Sequence, residues 1–224
     1  MSVATMTIER NEPTAKPLKM TYEEYLTWEH ESAFTEWEDG EVICLMPVKN
    51  RHQVIQEFLL FVLKAFVKIF NLGVIRTAPL EVKIKPDGNA REPDIIFIAN
   101  EHLDRLTEDR VNGAPDLIIE IVSDESVTRD RVKKFDEYEA GGVSEYWIID
   151  NRPHRRRAQF YQLDEHGDYQ TVKPAANGIY RSRALPGFWL KVAWLWDESP
   201  DEFRALAALI GPERMAQALR EAAE

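Results

Sequence analysis

Leu117-Ile118-Ile119-Glu120-Ile121-Val122 is a run of five aliphatic side chains interrupted by one acid, and Pro93-Asp94-Ile95-Ile96-Phe97-Ile98 is its upstream counterpart. Apolar runs this short and dense suit central strands of a buried sheet. An ionised carboxylate in such a setting is costly unless it is paired or bound to a metal. Two such acids on neighbouring strands repel each other, and a divalent cation between them removes the repulsion. A capping role for Asp94 and a cross-sheet arginine for Glu120 account for the same pattern, so the two readings stand side by side.

The surrounding chain builds an α/β or α+β fold around these runs. Thr21 and Glu24 form a capping box before a short helix with Tyr22, Tyr25 and Leu26 on its apolar face. Asp39-Gly40 sits between two strand-like runs within residues 34–45, a hairpin signal. Residues 52–70 read as a helix that is apolar almost all round, interrupted by Gln56, Glu57, Lys64 and Lys68, with Gly73 as its expected stop. Such a helix needs cover on more than one side. Leu80, Val82 and Ile84 alternate with Glu81, Lys83 and Lys85, which predicts a strand with one wet face. An amphipathic helix is expected over 128–140, closed by Gly141-Gly142, and a buried strand over 144–150. A hairpin follows, from 158–163 and 169–172, then the run 189–196 and one helix over 200–223. A hairpin, a long helix, several strands, a helix and a strand argue for a mixed sheet flanked by helices. Residues 1–18 read as a polar arm, 19–197 as the folded domain and 198–224 as a C-terminal helix.

Composition narrows the function. The chain has 224 residues, 44% hydrophobic and 30% charged, a globular balance. The single cysteine, Cys44, rules out an internal disulfide framework and a cysteine-based zinc site. The first 20 residues carry scattered charge and no apolar core of a signal peptide, and the longest apolar stretch holds Lys64 and Lys68. A cytoplasmic protein outside the membrane is therefore expected. The net charge of −11 opposes non-specific nucleic-acid binding, although acids gathered at a metal site count against the total while the metal reverses their local effect.

Asp130, Lys134 and Tyr138 fall at four-residue steps and so share one face of the helix after the Glu120 strand. Lys134 can reach over the acids toward a phosphate, or Asp130 and Lys134 form a solvated pair. His52 opens a buried helix, where a histidine serves as a structural hydrogen-bonder or as an acid and base. His154-Arg155-Arg156-Arg157 is the one concentrated basic run, read as an exposed turn in preference to a phosphate contact. Trp189, Trp194 and Trp196 read as core, and Asp164, Glu165, His166 and Asp168 as the polar residues of a turn around Gly167.

The ordered set of motifs resembles the Uma-two family of restriction-endonuclease-like proteins, within the PD-(D/E)XK nuclease superfamily. Pro93-Asp94 matches the first half of that signature and Glu120 the second acid. Glu36 in Thr35-Glu36-Trp37-Glu38-Asp39-Gly40 matches the family's opening glutamate, and Arg51-His52-Gln53 its Arg-His-Gln segment. Gly113-Ala114-Pro115-Asp116-Leu117 leads into Glu120. Arg129-Asp130-Arg131, Lys134, Tyr138, Gly142-Val143 and Glu145-Tyr146-Trp147-Ile148-Ile149-Asp150 then follow in order, so that the match covers about 20–195. The lysine of the superfamily signature, two residues after Glu120, is Val122 here. The family shares this departure and takes its lysine from the following helix, at the position of Lys134.

The resemblance implies a restriction-endonuclease-like core and metal-dependent hydrolysis of phosphodiester bonds. Glu36, Asp94, Glu120 and Lys134 would be catalytic, with His52, Asp130 and Tyr138 accessory. Asp94, Glu120 and the carbonyl of Ile121 would hold Mg²⁺ or Mn²⁺. The implied partner is nucleic acid, DNA first, and the implied assembly a homodimer that cuts two strands. A catalytically silent binding or regulatory protein on the same fold is the alternative. Replacing Asp94 or Glu120 by Ala is expected to abolish cleavage and to relieve charge repulsion in the core.

Overall fold

Alternation, glycines and turn chemistry determine where the chain changes direction. A computed structural model describes residues 18–29, 34–45, 47–122 and 132–221, so the N-terminal arm lies almost wholly outside the described residues. Strand β1 (Leu18–Lys19) precedes helix α1 (Tyr22–Thr27), where Thr21 and Glu24 make the expected reciprocal capping box. Strands β2 (Thr35–Glu38) and β3 (Glu41–Cys44) form the hairpin around Asp39-Gly40, both at positive φ. Helix α2 (Asn50–Ile69) is followed by β4 (Gly73–Thr77), β5 (Glu81–Lys83), β6 (Ala90–Arg91) and β7 (Ile95–Ala99). After a 3₁₀ turn at Asn100–Arg105 come β8 (Arg110–Asn112), β9 (Leu117–Ile121), helix α3 (Lys134–Ala140) and β10 (Glu145–Asp150). Strands β11 (Arg157–Leu163), β12 (Tyr169–Thr171), β13 (Ile179–Arg181) and β14 (Trp189–Lys191) lead to helices α4 (Glu202–Ile210) and α5 (Pro212–Glu221).

The described residues form two six-stranded sheets and one small hairpin. The central sheet runs β12-β11-β10-β9-β7-β4, with β9 and β10 parallel and its other neighbours antiparallel. The second runs β1-β3-β2-β6-β5-β8. Both are mixed, as the order of elements predicts, in an α+β arrangement flanked by helices.

Period-2 alternation splits the central sheet into two faces. Ile95, Phe97, Leu117, Ile119, Ile121, Trp147 and Ile149 face α2 and belong to one core with Ile55, Phe58, Leu59, Val62 and Phe66. Ile96, Ile98, Ile118, Val122, Tyr146 and Ile148 face the other way and pack with Tyr138 of α3 and with Val82 and Val111 of the second sheet. Helix α2 receives its second cover from α4, whose Ala205 and Leu206 are buried. Each fully buried aliphatic or aromatic side chain contributes about 1.5–3 kcal/mol.

Four local expectations differ from the structure. Helix α2 ends at Ile69, where Asn71 takes the positive φ, and Gly73 opens β4 instead of stopping the helix. Strand β5 has no wet face. Lys83 is buried, its Nζ 3.5 Å from the centre of the Tyr22 ring and bonded to the Gly88 carbonyl at 2.5 Å. The C-terminal helix is two, broken at Gly211 with φ 79°. The tryptophans divide: Trp194 and Trp196 pack on the core, whereas half-buried Trp189 lies tilted against Trp194.

Candidate active site

Antiparallel pairing of β7 with β9 sets Ile95 opposite Ile119 and Ile96 opposite Ile118. Asp94 immediately precedes β7 and lies outside the paired residues, and Glu120 lies within β9. Glu120 shares the parity of Ile118 and Val122, on the face that packs with α3, whereas the Asp94 carboxylate reaches α2 through His52. The Asp94 backbone is pinned from below: its carbonyl accepts from Thr77 Oγ1 at 2.6 Å and Gln56 Nε2 at 3.2 Å. Its side chain bridges to the partner strand, with Oδ2 accepting the Ile121 amide at 2.6 Å. Oδ1 lies 3.2 Å from His52 Nε2, at the start of α2.

Glu120 is 4% exposed and is met from above by α3. Lys134 Nζ and Tyr138 OH both donate to its Oε1, at 2.8 and 2.9 Å. The four-residue step from 134 to 138 puts both donors on one helical face, so one carboxylate oxygen accepts both bonds. Burial, and then the Glu120 charge, hold the Tyr138 phenol well above its ordinary pKa. Lys134 also reaches Glu36 Oε1 on β2 at 2.9 Å, and it is itself 3% exposed. The ammonium thus joins the second sheet to the central one through two buried carboxylates.

Behind Lys134 lies a second cation that the sequence reading did not single out. Arg91 is 2% exposed, and its guanidinium spreads over Glu36 (3.3 Å), Glu38 (2.6 Å) and Glu137 (2.8 Å). Burial alone would raise the Glu38 carboxyl, but hydrogen bonds from Lys133 and Arg91 outweigh it and hold the pKa below the ordinary value. Glu92 is the opposite case. Burial first, then the Glu36 and Glu81 charges, push its pKa up to about 8, and its Oε2 has no hydrogen-bond partner among the described residues.

The structure therefore brings Glu36, Glu120, Lys134 and Tyr138 into direct contact, with Asp94 and His52 at the same end of the sheet. Asp130 lies outside the described residues. Lys133, the neighbour of Lys134, pairs with Glu38 and is largely exposed. Glu145 is a further buried acid, at 0% exposure, but it faces α2's side of the sheet. There it accepts from Trp147, Tyr180, Ser182 and the amides of Arg183 and Ala184, which ties the segment around β13 to the sheet.

Mg²⁺ and Mn²⁺ prefer oxygen donors, and Mg²⁺ is commonly held by one or two carboxylates with waters and substrate phosphates completing the shell. Asp94, bonded to the Ile121 amide, and Glu120, the residue before Ile121, supply two carboxylates. In an extended strand the N–H and C=O of one residue point to the same side, so the Ile121 carbonyl lies on the Asp94 side with its amide. That donor set fits a hard divalent ion. Among the described residues no three His, Cys, Asp or Glu side chains converge as a ready-made metal cluster. Both oxygens of Glu36 are engaged, by Lys134 and the Glu92 amide on one and Arg91 on the other.

The chain is thus a mixed-sheet α+β protein with a buried acid on β9 held by a lysine from the following helix. The chain belongs to the Uma2 family, described as "Putative restriction endonuclease", whose model matches residues 22–193. Its fold is similar to that in the crystal structure of "a putative nuclease belonging to DUF820" from Anabaena variabilis ATCC 29413, with a TM-score of 0.64 at 18% identity over 79% of this chain and 97% of that one. No curated protein matches. Among the described residues no helix is long and apolar enough to cross a membrane.

Proposed function

We propose that this chain is a divalent-metal-dependent endonuclease that hydrolyses phosphodiester bonds of nucleic acid, DNA in the first place, and that it works as a cytoplasmic homodimer. The observation that carries the reading is buried Glu120 bonded by Lys134, with Asp94 accepting the amide of the next residue, Ile121. When bound by Asp94, Glu120 and the Ile121 carbonyl, Mg²⁺ or Mn²⁺ supplies Lewis-acid activation of the phosphoryl group and of the attacking water.

The protein's own groups do the rest. Lys134 presents a fixed positive charge where negative charge develops on the phosphorane, already oriented before substrate arrives. Glu36 and Arg91 keep it there: Glu36 holds the ammonium, and Arg91 balances the excess of buried acid. Tyr138 orients Glu120, and His52 orients Asp94 at 3.2 Å. Asp130, four residues before Lys134 in sequence, is assigned an accessory role.

The second reading is a nuclease fold kept for binding without turnover. The observation in its favour is Lys134 itself, which is 3% exposed and held between two carboxylates. Calorimetric titration with Mn²⁺ and plasmid nicking, on wild type and Glu120→Ala, separates the two. Binding and nicking that both vanish in the variant are the expected result. Wild-type metal binding without cleavage of any nucleic acid moves the assignment to the silent reading.

A further inference from the structure

The basic run Pro153-His154-Arg155-Arg156 is an exposed turn between β10 and β11. Its place in the fold matters more than its shape. Strands β9 and β10 are parallel, with Ile149 beside Ile121, so both end on the side of the sheet where Asp94 meets the Ile121 amide. The turn after β10 therefore emerges beside the candidate active site. There it meets the N-terminus of α2: Asn151 Nδ2 donates to the Arg51 carbonyl at 3.4 Å. Between them lies a cleft of about 880 Å³ whose walls include Asn50, Arg51, Asn151, His154 and Arg156. Asp197 and Glu198 line it as well. The cleft is thus polarised, basic along the turn and the helix start and acidic along the segment that follows Trp196.

The start of α2 breaks the ordinary rules for a helix N-terminus. Its N-cap residue is Lys49, which makes no side-chain capping bond, and the first turn holds no acid. Helix N-termini favour negative charge, and their unsatisfied N–H groups bind anions. Basic residues at that end are unfavourable for the helix by itself and favourable once a phosphate sits there. One residue beyond Arg51, His52 is 6% exposed and its Nδ1 has no hydrogen-bond partner among the described residues, while its Nε2 meets Asp94.

We infer that this cleft, between the 153–157 turn and the N-terminus of α2, is the track for the phosphate backbone of a DNA duplex, with Arg156 as a phosphate contact that leads the strand to Asp94. The inference rests on the nuclease reading, for which it supplies the surface that a chain of net charge −11 otherwise lacks. A local basic strip, with acids on the far segment, positions a duplex without a basic protein. Phosphate contacts of this kind fix register and orientation and carry no base sequence information.

The test is the salt dependence of affinity for a short fluorescent DNA duplex, measured for wild type and Arg156→Ala with Ca²⁺ in place of Mg²⁺, alongside plasmid nicking in Mg²⁺. Each phosphate contact steepens the slope of log affinity against log salt by about 0.9. The variant is expected to bind more weakly, with a slope shallower by about 0.9. Arg156→Lys keeps the charge and is expected to retain the wild-type slope. An unchanged affinity and slope in the alanine variant, with nicking by wild type intact, overturns the track and leaves the nuclease reading standing. A wild type that neither binds nor nicks removes the nuclease reading and the track with it.

Discussion

Glu120 shows how a partner reverses the sign of an expectation. Two buried acids read alone predict that Glu120→Ala relieves repulsion. In the structure Glu120 accepts from Lys134 and Tyr138, so its removal strips a buried ammonium of one of its two carboxylates. Breaking a buried pair costs about 3–5 kcal/mol, and because Glu36 remains, a loss near 3 kcal/mol is expected for Glu120→Ala in denaturant unfolding. Lys134→Met in the same background should recover part of it, because the orphaned charge goes too. Failure of the double variant to recover any stability would show that the pair is not the source of the loss.

Glu92 makes a pH prediction of opposite character. In the folded chain it stays protonated up to about pH 8, against an ordinary value of 4.5. Between those values the folded state binds more protons than the unfolded one, so stability falls as pH rises through that window and levels above it. Glu92→Gln removes this dependence. In the presence of a chelator, the melting temperature of the variant minus that of wild type is expected to widen from about pH 5 to about pH 8 and then hold constant. A gap that is flat across the range would mean that Glu92 ionises as an ordinary carboxylate.

Elements were more legible in the sequence than the contacts between them. Strands β7, β9 and β10 announce themselves by aliphatic density, α1 by its capping box and the β2–β3 turn by Asp39-Gly40, because each signal is local. Asp94 and Glu120 stand out for the same reason, as charges in apolar runs. What bonds to them was not legible without the family's motif order: Lys134 and Glu36 are far apart in sequence, and no periodicity reports which helix faces which strand. Arg91 escaped because a charged residue in a two-residue strand gives no pattern to read. Lys83 misled because alternation cannot tell a solvated lysine from one sheathed by Tyr22 and Trp37. Gly73 is the instructive error at this scale. It reads as a helix stop, yet a Cβ built there would lie 2.0 Å from the Ile98 carbonyl oxygen and 2.9 Å from Ala99 Cα. Its role is to let edge strand β4 close on β7. Gly73→Ala is therefore expected to destabilise the fold by about 3 kcal/mol through backbone clash and a strained φ. A stability within about 0.5 kcal/mol of wild type would show that β4 can shift at little cost.

At the scale of the whole molecule, two kinds of electrostatics act on different lengths. The net charge of −11 makes the folded chain repel itself over distances that salt screens. Between about 0.01 and 0.15 M ionic strength the screening length falls from about 30 Å to about 8 Å. Ion pairs buried at the site are spaced at 2.6–3.3 Å and lie where dissolved ions do not reach. Added salt should thus stabilise the protein as a whole while leaving the interaction of Lys134 with Glu120 untouched. The melting temperature of wild type is expected to rise over this range, and the difference between wild type and Glu120→Ala to stay constant. A melting temperature that falls with salt would mean that exposed ion pairs outweigh the general repulsion. A difference that shrinks with salt would place the Glu120 pair within reach of solvent ions, and its stabilising effect would then be far smaller than a buried pair provides.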